Sequence, residues 1–408
     1  MRLLPRGAID PAAGVVERST RCLACGSLEI TAFHEVDRVP VHSCVLVSSR
    51  EEALNFPTGR IRLVFCASCG FIFNADFDGS LLDYSRDYEE TQGFSSRFRS
   101  FAQDLAGRLI DRFDLHGKEI LEIGCGKGEF ILLLVELGPN RGIGIDPAYV
   151  PERTNSEAAE RITFIQDFYS KAYRGLAADF ICCRHTLEHI PDVGEFVRLV
   201  RGAIGERGTP VFFEVPDTRR VLREAAFWDI YHEHCSYFTL GSLARLFRSS
   251  GFEVSDLALG FDDQYVLLEA RPSSNGNRWR TSDEEEPVSE LAAEVERFRA
   301  SYQQTVVGWA ERLERWRGQG RRVVVWGSGS KGVAFLTTLG ISDEIAYVVD
   351  VNPFRQGKFM IGTGHAIVAP ESLANPAPDV VIVMNPIYVN EIRDQLERMG
   401  LRPEITSV

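Results

Sequence analysis

The 408-residue chain has no uninterrupted apolar run of about 18 residues, so no membrane-spanning helix is expected. It is short of basic charge: 45 Lys and Arg stand against 58 Asp and Glu, for a net charge of −13. That balance argues against non-specific nucleic-acid binding, which needs a basic surface. It leaves room for a small anionic substrate in a local basic pocket. The opening residues, MRLLPRGAIDPAAG, lack the apolar stretch of a signal peptide. Nine cysteines without such a leader read as reduced thiols or metal ligands rather than disulfides, and the expected location is the cytoplasm. The remaining composition, 44% apolar and 25% charged, is that of a globular protein, and the length implies two or three domains.

The chain is organised around Lys118–Pro147, KEILEIGCGKGEFILLLVELGPNRGIGIDP, which reads as strand, glycine turn, helix, strand. Glycines at Gly124, Gly126 and Gly128 let the backbone approach a ligand closely. The free N–H groups of the following helix point the same way. Asp146, at the end of the second strand, can accept both hydroxyls of a ribose. A lone glycine turn of this kind is also found in NAD enzymes. Here it is E-x-G-C-G-x-G, with Glu122 inside the first strand, a third apolar run ending at Asp167 and a fourth at Asp179–Cys183.

Upstream, Cys22-Leu-Ala-Cys25-Gly and Cys66-Ala-Ser-Cys69-Gly form two C-x-x-C-G knuckles. Each offers two thiolates from one tight turn, and together they make the closed four-cysteine pattern of structural zinc. Four unrelated buried cysteines are the alternative. Cys44, between the knuckles, reads as core. Asp83–Ser96 carries Tyr84 and Tyr88 four apart, which on a helix share a face. The expected form is a packed surface helix, the alternative an arm laid over a substrate site. Apolar spacing predicts a helix over Ser95–Phe113.

After the fourth strand, His185-x-x-Glu188-His189 matches an inverted zinc-protease pattern. That reading fails on context, because the residues directly follow a strand and Pro191 lies two beyond the second His. A second polar cluster, Tyr231-His232-Glu233-His234 with Tyr237 beyond it, concentrates titratable groups in an aromatic segment. Base chemistry ranks above a His232–His234 metal site, since no third ligand of clear spacing is visible.

The E-x-G-C-G-x-G loop with its acidic strand ends resembles the class I S-adenosylmethionine (SAM) methyltransferases. Together with the knuckles, the L-E-H-I-P-D run and the Y-H-E-H-x-S-Y-F run, nearly the whole chain resembles the three-domain sugar C-methyltransferases. The resemblance implies an α/β fold: a zinc-binding module (1–82), a Rossmann-like SAM domain (83–272), then linker, helix and a second Rossmann-like domain (273–408). It implies Glu122, Gly124, Gly126, Gly128, Asp146 and Asp167 around SAM, with Asp146 on the ribose and Asp167 near the adenine. It implies zinc on Cys22, Cys25, Cys66 and Cys69. His234 becomes the base, with Tyr231, Glu233, His189 and Tyr88 (or Tyr84) around the acceptor. The family's arm runs from its tyrosines almost directly into a serine pair. Here Glu89-Glu90-Thr91 follows Tyr88, and the pair comes only at Ser95-Ser96.

A third module, RRVVVWGSGSKGVAFLTTLG, repeats the strand–glycine turn–helix plan, with Asp350 at the next strand end. Gly327, Gly329 and Gly332 fit an NAD fingerprint, Lys331 at the helix start fits a phosphate, and packing alone explains the turn equally well. The expected activity is SAM-dependent C-methylation beside a carbonyl, on a nucleotide-linked keto-deoxy sugar, by His-assisted deprotonation. O- or N-methylation of another small metabolite and a non-catalytic nucleotide-sugar scaffold are the alternatives.

Overall fold

The computed structural model describes residues 19–154, 156–273, 281–341 and 343–408. The opening segment read for a leader lies outside them, as do residues 274–280 of the linker. Among the described residues no helix is long and apolar enough to cross a membrane.

The first part of the chain forms an antiparallel sheet of β1 (Ile30–Pro40), β2 (Thr58–Cys66) and β3 (Ile72–Asn74). Each C-x-x-C-G knuckle closes as a tight turn, Gly26 N–H donating to Cys22 O and Gly70 N–H to Cys66 O, both at 2.8 Å. Both glycines have left-handed backbone, φ 77° and 75°, a conformation that a Cβ disfavours.

The central sheet carries β4 (Glu119–Ile123), β5 (Arg141–Ile145), β6 (Ile162–Ile165), β7 (Phe180–Arg184) and β8 (Val211–Pro216), all parallel. Parallel strands are covered on both faces, which is why they read as continuous apolar runs. β9 (Ser236–Tyr237) leaves this sheet and pairs with β3 instead. β10 (Phe252–Gly260) and β11 (Tyr265–Pro272) close the central sheet in the order β10-β11-β8-β7-β4-β5-β6, with β11 antiparallel to both neighbours.

The last sheet is parallel throughout. Its strands β12 (Val323–Trp326), β13 (Val348–Val349), β14 (Ile367–Val368), β15 (Val380–Val383) and β16 (Glu404–Ser407) lie in the order β14-β13-β12-β15-β16. The helix Val288–Gly318 buries Leu291, Val295, Phe298, Trp309, Leu313 and Trp316. That 3–4 spacing makes one apolar stripe. The stripe joins β1 and the last sheet in one continuous core, through Phe33 against Phe298 and Trp309 against Phe335.

The packed helix expected over Asp83–Ser96 does not form; the helix begins at Ser96, with Ser95 capping it. The segment is an arm whose backbone bonds go elsewhere: Leu46 N–H donates to Asp87 O at 2.9 Å and Glu89 N–H to Cys44 O at 2.8 Å. A turn, Tyr88 N–H onto Ser85 O at 3.1 Å, still brings the Tyr84 and Tyr88 rings to 5.1 Å between centroids. Backbone groups satisfied by a distant strand have no need of a helix.

Candidate active site

One cavity of about 570 Å³ opens between the central sheet, the arm and the last sheet. The β4 turn forms one wall. Gly124, Gly126 and Gly128 have φ 71°, 52° and 84°. A Cβ on Gly124 would collide with Thr186, and one on Gly126 with Glu90. Asp146 pins the turn, its Oδ2 accepting from Gly126 N–H at 2.8 Å and its Oδ1 from Ala148 N–H at 2.7 Å. Each oxygen keeps a second lone pair for a ligand hydroxyl. Glu122 lies beneath, one oxygen accepting from Ile131 N–H at 2.9 Å, and burial pushes its carboxyl up to about 8. Asp167 lines the cavity, holding Tyr173 Oη at 2.5 Å and Phe168 N–H at 2.8 Å.

Across the cavity stands His234. Its ring packs edge-on against His189 at 4.7 Å and Tyr231 at 4.6 Å. It makes no hydrogen bond among the described residues. Burial, with His189 beside it, lowers His234 to about 4, so at neutral pH it is an uncharged base. Nδ1 of His189 is 2.9 Å from the Tyr84 hydroxyl and 3.1 Å from Glu233 O. Tyr88 lines the cavity, and its hydroxyl makes no hydrogen bond among the described residues. Burial raises the phenols of both Tyr84 and Tyr88, keeping them protonated donors.

The Y-H-E-H run does not present all its members to the cavity. His232 points the other way, fully buried against Phe77 and directly over Gly59, so it shares no face with His234. Glu233 does orient an imidazole, but that of His42: Nδ1 of His42 is 3.0 Å from Glu233 Oε2, and Nε2 accepts from Asp83 N–H at 2.9 Å. Ser43 holds the other carboxylate oxygen. Tyr231 lines the cavity with its ring, while its hydroxyl donates to Asp229 at 2.7 Å.

Two residues that the sequence singled out only within the rejected protease pattern line the cavity. Glu188 is 2% exposed, and its Oε2 is buried without a hydrogen bond among the described residues. Burial opposes its charge, but His185 and His189 overcome that and keep it low. Glu188, His189 and His234 offer donor atoms within 4.8 Å of one another, the triad that the sequence spacing concealed. His185 sits at φ 48° on the strand end, with Nε2 2.8 Å from Glu214. Burial opposes its charge, yet Glu214 and Glu188 raise it to about 9. The His-x-x-Glu-His pattern at a strand end marked these positions in the sequence without giving them this role.

The second glycine turn faces the same cavity. Asp350 is already occupied: Oδ2 accepts from Ser328 N–H at 2.9 Å and Ser328 Oγ at 2.5 Å, and Oδ1 from Asn352 N–H at 2.8 Å. Lys331 pairs with Asp229, as does Arg220, so two cations meet one carboxylate at the cavity wall. Cys44 is buried as expected, with Sγ 3.3 Å from Ser330 Oγ. In the knuckles, Cys22 Sγ lies 3.6 Å from Cys69 Sγ and Cys25 Sγ 3.7 Å from Cys66 Sγ, with all four within 4.8 Å. A tetrahedral four-thiolate zinc needs sulfurs about 3.8 Å apart, so the cluster fits that ion.

A mostly parallel sheet ending in this glycine turn, with Asp146 and Asp167 on the next two strand ends, is that of a class I SAM-dependent methyltransferase. Residues 98–257 match a methyltransferase-domain family, and residues 269–402 match a C-methyltransferase C-terminal domain. The chain is 29% identical over 317 residues to the C-methyltransferase NovU of Streptomyces niveus, across 71% of this chain and 72% of that protein. The chain is a SAM-dependent methyltransferase whose C-terminal part matches a C-methyltransferase domain. Among solved structures, the magnesium protoporphyrin IX methyltransferase of Synechocystis PCC 6803 is similar over 43% of this chain and 84% of its own, with TM-score 0.34 and 18% identity. The 1,6-didemethyltoxoflavin-N1-methyltransferase of Burkholderia thailandensis is similar over 44% and 82%, with TM-score 0.35 and 18% identity.

Proposed function

We propose that the protein methylates a carbon beside the carbonyl of a nucleotide-linked keto-deoxy sugar, with His234 as the base. The observation that carries this reading is the uncharged imidazole of His234, half-buried at the cavity and without a hydrogen bond among the described residues. SAM, when bound, supplies an electrophilic methyl group. Gly124, Gly126 and Gly128 leave space for it, Glu122 braces the turn, Asp146 accepts the ribose hydroxyls and Asp167 faces the adenine. His234 takes the proton α to the carbonyl. Glu188, beside it, stabilises the imidazolium so formed. Charge then builds on the carbonyl oxygen, where Tyr88 and His189 donate hydrogen bonds. Tyr231 buttresses the His234 ring, and Glu233 positions the arm through His42. Orientation of the acceptor in line with the methyl does the rest.

Arg220 and Lys331, held by Asp229 and, for Arg220, also by Glu224, are the cationic donors for the diphosphate of the sugar nucleotide. A divalent cation on Glu188, His189 and His234 would be a second reading of the triad. The Tyr84 hydroxyl at Nδ1 of His189 favours the base instead. Cys22, Cys25, Cys66 and Cys69 are read as a structural zinc site, and the location as cytoplasmic, where such thiols stay reduced. The chain divides at residues 82 and 272, with β9 crossing the first boundary.

The test is exchange of the acceptor's α-proton with deuterated water, using nucleotide-linked 4-keto sugars and S-adenosylhomocysteine. His234→Ala is expected to keep SAM binding and lose both exchange and turnover by about 10²–10⁴-fold. Undiminished turnover in that variant overturns the assignment. Turnover in the wild type with no sugar nucleotide accepted overturns the acceptor class alone.

A further inference from the structure

Glu90 belongs to the three residues that follow Tyr88 before the arm continues, and it lies over the cofactor turn. A Cβ on Gly126 would strike its Oε1. Its Oε2 is buried and makes no hydrogen bond among the described residues. The nearest cation, Nζ of Lys127, is 3.9 Å away and already donates to Ala148 O at 2.7 Å. Burial lifts the Glu90 carboxyl to about 7, as expected of an acid whose partner is missing.

SAM carries a cationic amino-acid end as well as an adenosine. Asp146 and Asp167, on the ends of β5 and β6, offer acceptors for the adenosine hydroxyls and amine. With the adenosine there, the β4 turn is the adjoining wall left for the amino-acid end. Of the other acids along it, Asp146 holds two backbone N–H groups, Glu122 is buried under Ile131, and Glu129 is exposed at the start of the helix, whereas Glu90 lies directly over the turn. We propose that Glu90 receives the α-ammonium of SAM, so that cofactor binding fastens the arm and with it the Tyr84 and Tyr88 wall of the acceptor site. The proposal rests on the SAM assignment and is independent of the acceptor's identity.

Calorimetric titration of Glu90→Gln with S-adenosylhomocysteine and with 5′-methylthioadenosine, which lacks the amino-acid end, tests it. The expected result is a loss of about 10–100-fold for S-adenosylhomocysteine and an unchanged affinity for methylthioadenosine. Equal losses for both ligands, or none for S-adenosylhomocysteine, overturn the proposal. Failure of the wild type to bind either ligand would instead strike the SAM assignment. Thermal unfolding without ligand controls for folding: Glu90→Gln keeps the side chain's shape and gives up only the 3.9 Å approach to Lys127, so it should melt no lower than the wild type. A lower melting point would make Glu90 structural and overturn the proposal as well.

Discussion

Glu233 and His42, 191 positions apart, form a buried carboxylate–imidazole pair at 3.0 Å. Because Nε2 of His42 accepts the Asp83 N–H, the proton sits on Nδ1 and points at Glu233. The rings of Tyr84 and Tyr88 pack on His42 at 5.1 and 5.6 Å. The residue next to His234 in the chain therefore fixes the arm on the far side of the cavity.

Glu233→Ala should raise KM for the acceptor more than it lowers kcat, and destabilise the fold by roughly 1–3 kcal/mol through the stranded His42 and Ser43 donors. Steady-state kinetics with urea unfolding separates the two effects. A fall confined to kcat would instead put Glu233 at the reacting atoms.

Two tyrosines sit beside the histidines with different hydroxyl partners. Tyr84→Phe removes the group facing His189 and should cost about tenfold in kcat. Its effect on stability should stay near the roughly 0.5–1.5 kcal/mol of one hydrogen bond. Tyr231→Phe removes a bond to Asp229, which keeps Arg220 and Lys331, so stability should fall more than turnover. The reverse order in measured kcat would make the Tyr231 hydroxyl the donor to the carbonyl oxygen.

What the sequence made legible was local. The strands of the central sheet announced themselves as apolar runs closed by glycine or an acid, because both faces are buried. The knuckles were legible because each is a turn with one left-handed glycine, written in consecutive residues. Boundaries were softer: the helix predicted from Ser95 starts at Ser96 with Ser95 as its cap, and the strand that leads to Asp350 is only the short β13. The arm was misread because its backbone partners, Cys44 and Leu46, are some forty positions away. His42 was missed, and Glu188 was named without its role, since burial and an unbonded oxygen leave no mark on a sequence. His232 and His234 would share a face were the segment extended, but bends at His232 and Glu233 turn them apart.

Stability should fall on both sides of neutrality. Burial lowers His34, His232 and His234 to about 4, below the unfolded value near 6.5. The unfolded chain binds those protons first, so stability present above about pH 6.5 is lost as pH falls toward 4. The ceiling is roughly 3 kcal/mol per group. His185 runs the other way: raised to about 9, it stabilises below about pH 6.5, and that contribution disappears as pH rises through 9. Urea midpoints across pH check both limbs. His232→Asn should flatten the acid limb, and His185→Asn the alkaline one; unchanged slopes would contradict these assignments.

Zinc analysis should return one ion per chain. Cys66→Ser is expected to lose it and several kcal/mol of stability, since metal binding supplies folding free energy. A fully stable, zinc-free Cys66→Ser protein would mean that the four thiols merely pack.

The two-residue strand β9 has a consequence for how this enzyme can be divided. Ser236 and Tyr237 lie just beyond His234 and are held by Phe73 and Ile72, while Cys235 O takes the Asn74 N–H at 2.9 Å. The glycine turn, Asp146 and Asp167 belong to the central sheet, but His234, the proposed base, is moored to the sheet that carries the four cysteines. A fragment beginning at the helix Ser96–Phe113 would keep those acceptors for the adenosine and lose both Glu90 and the anchorage of His234.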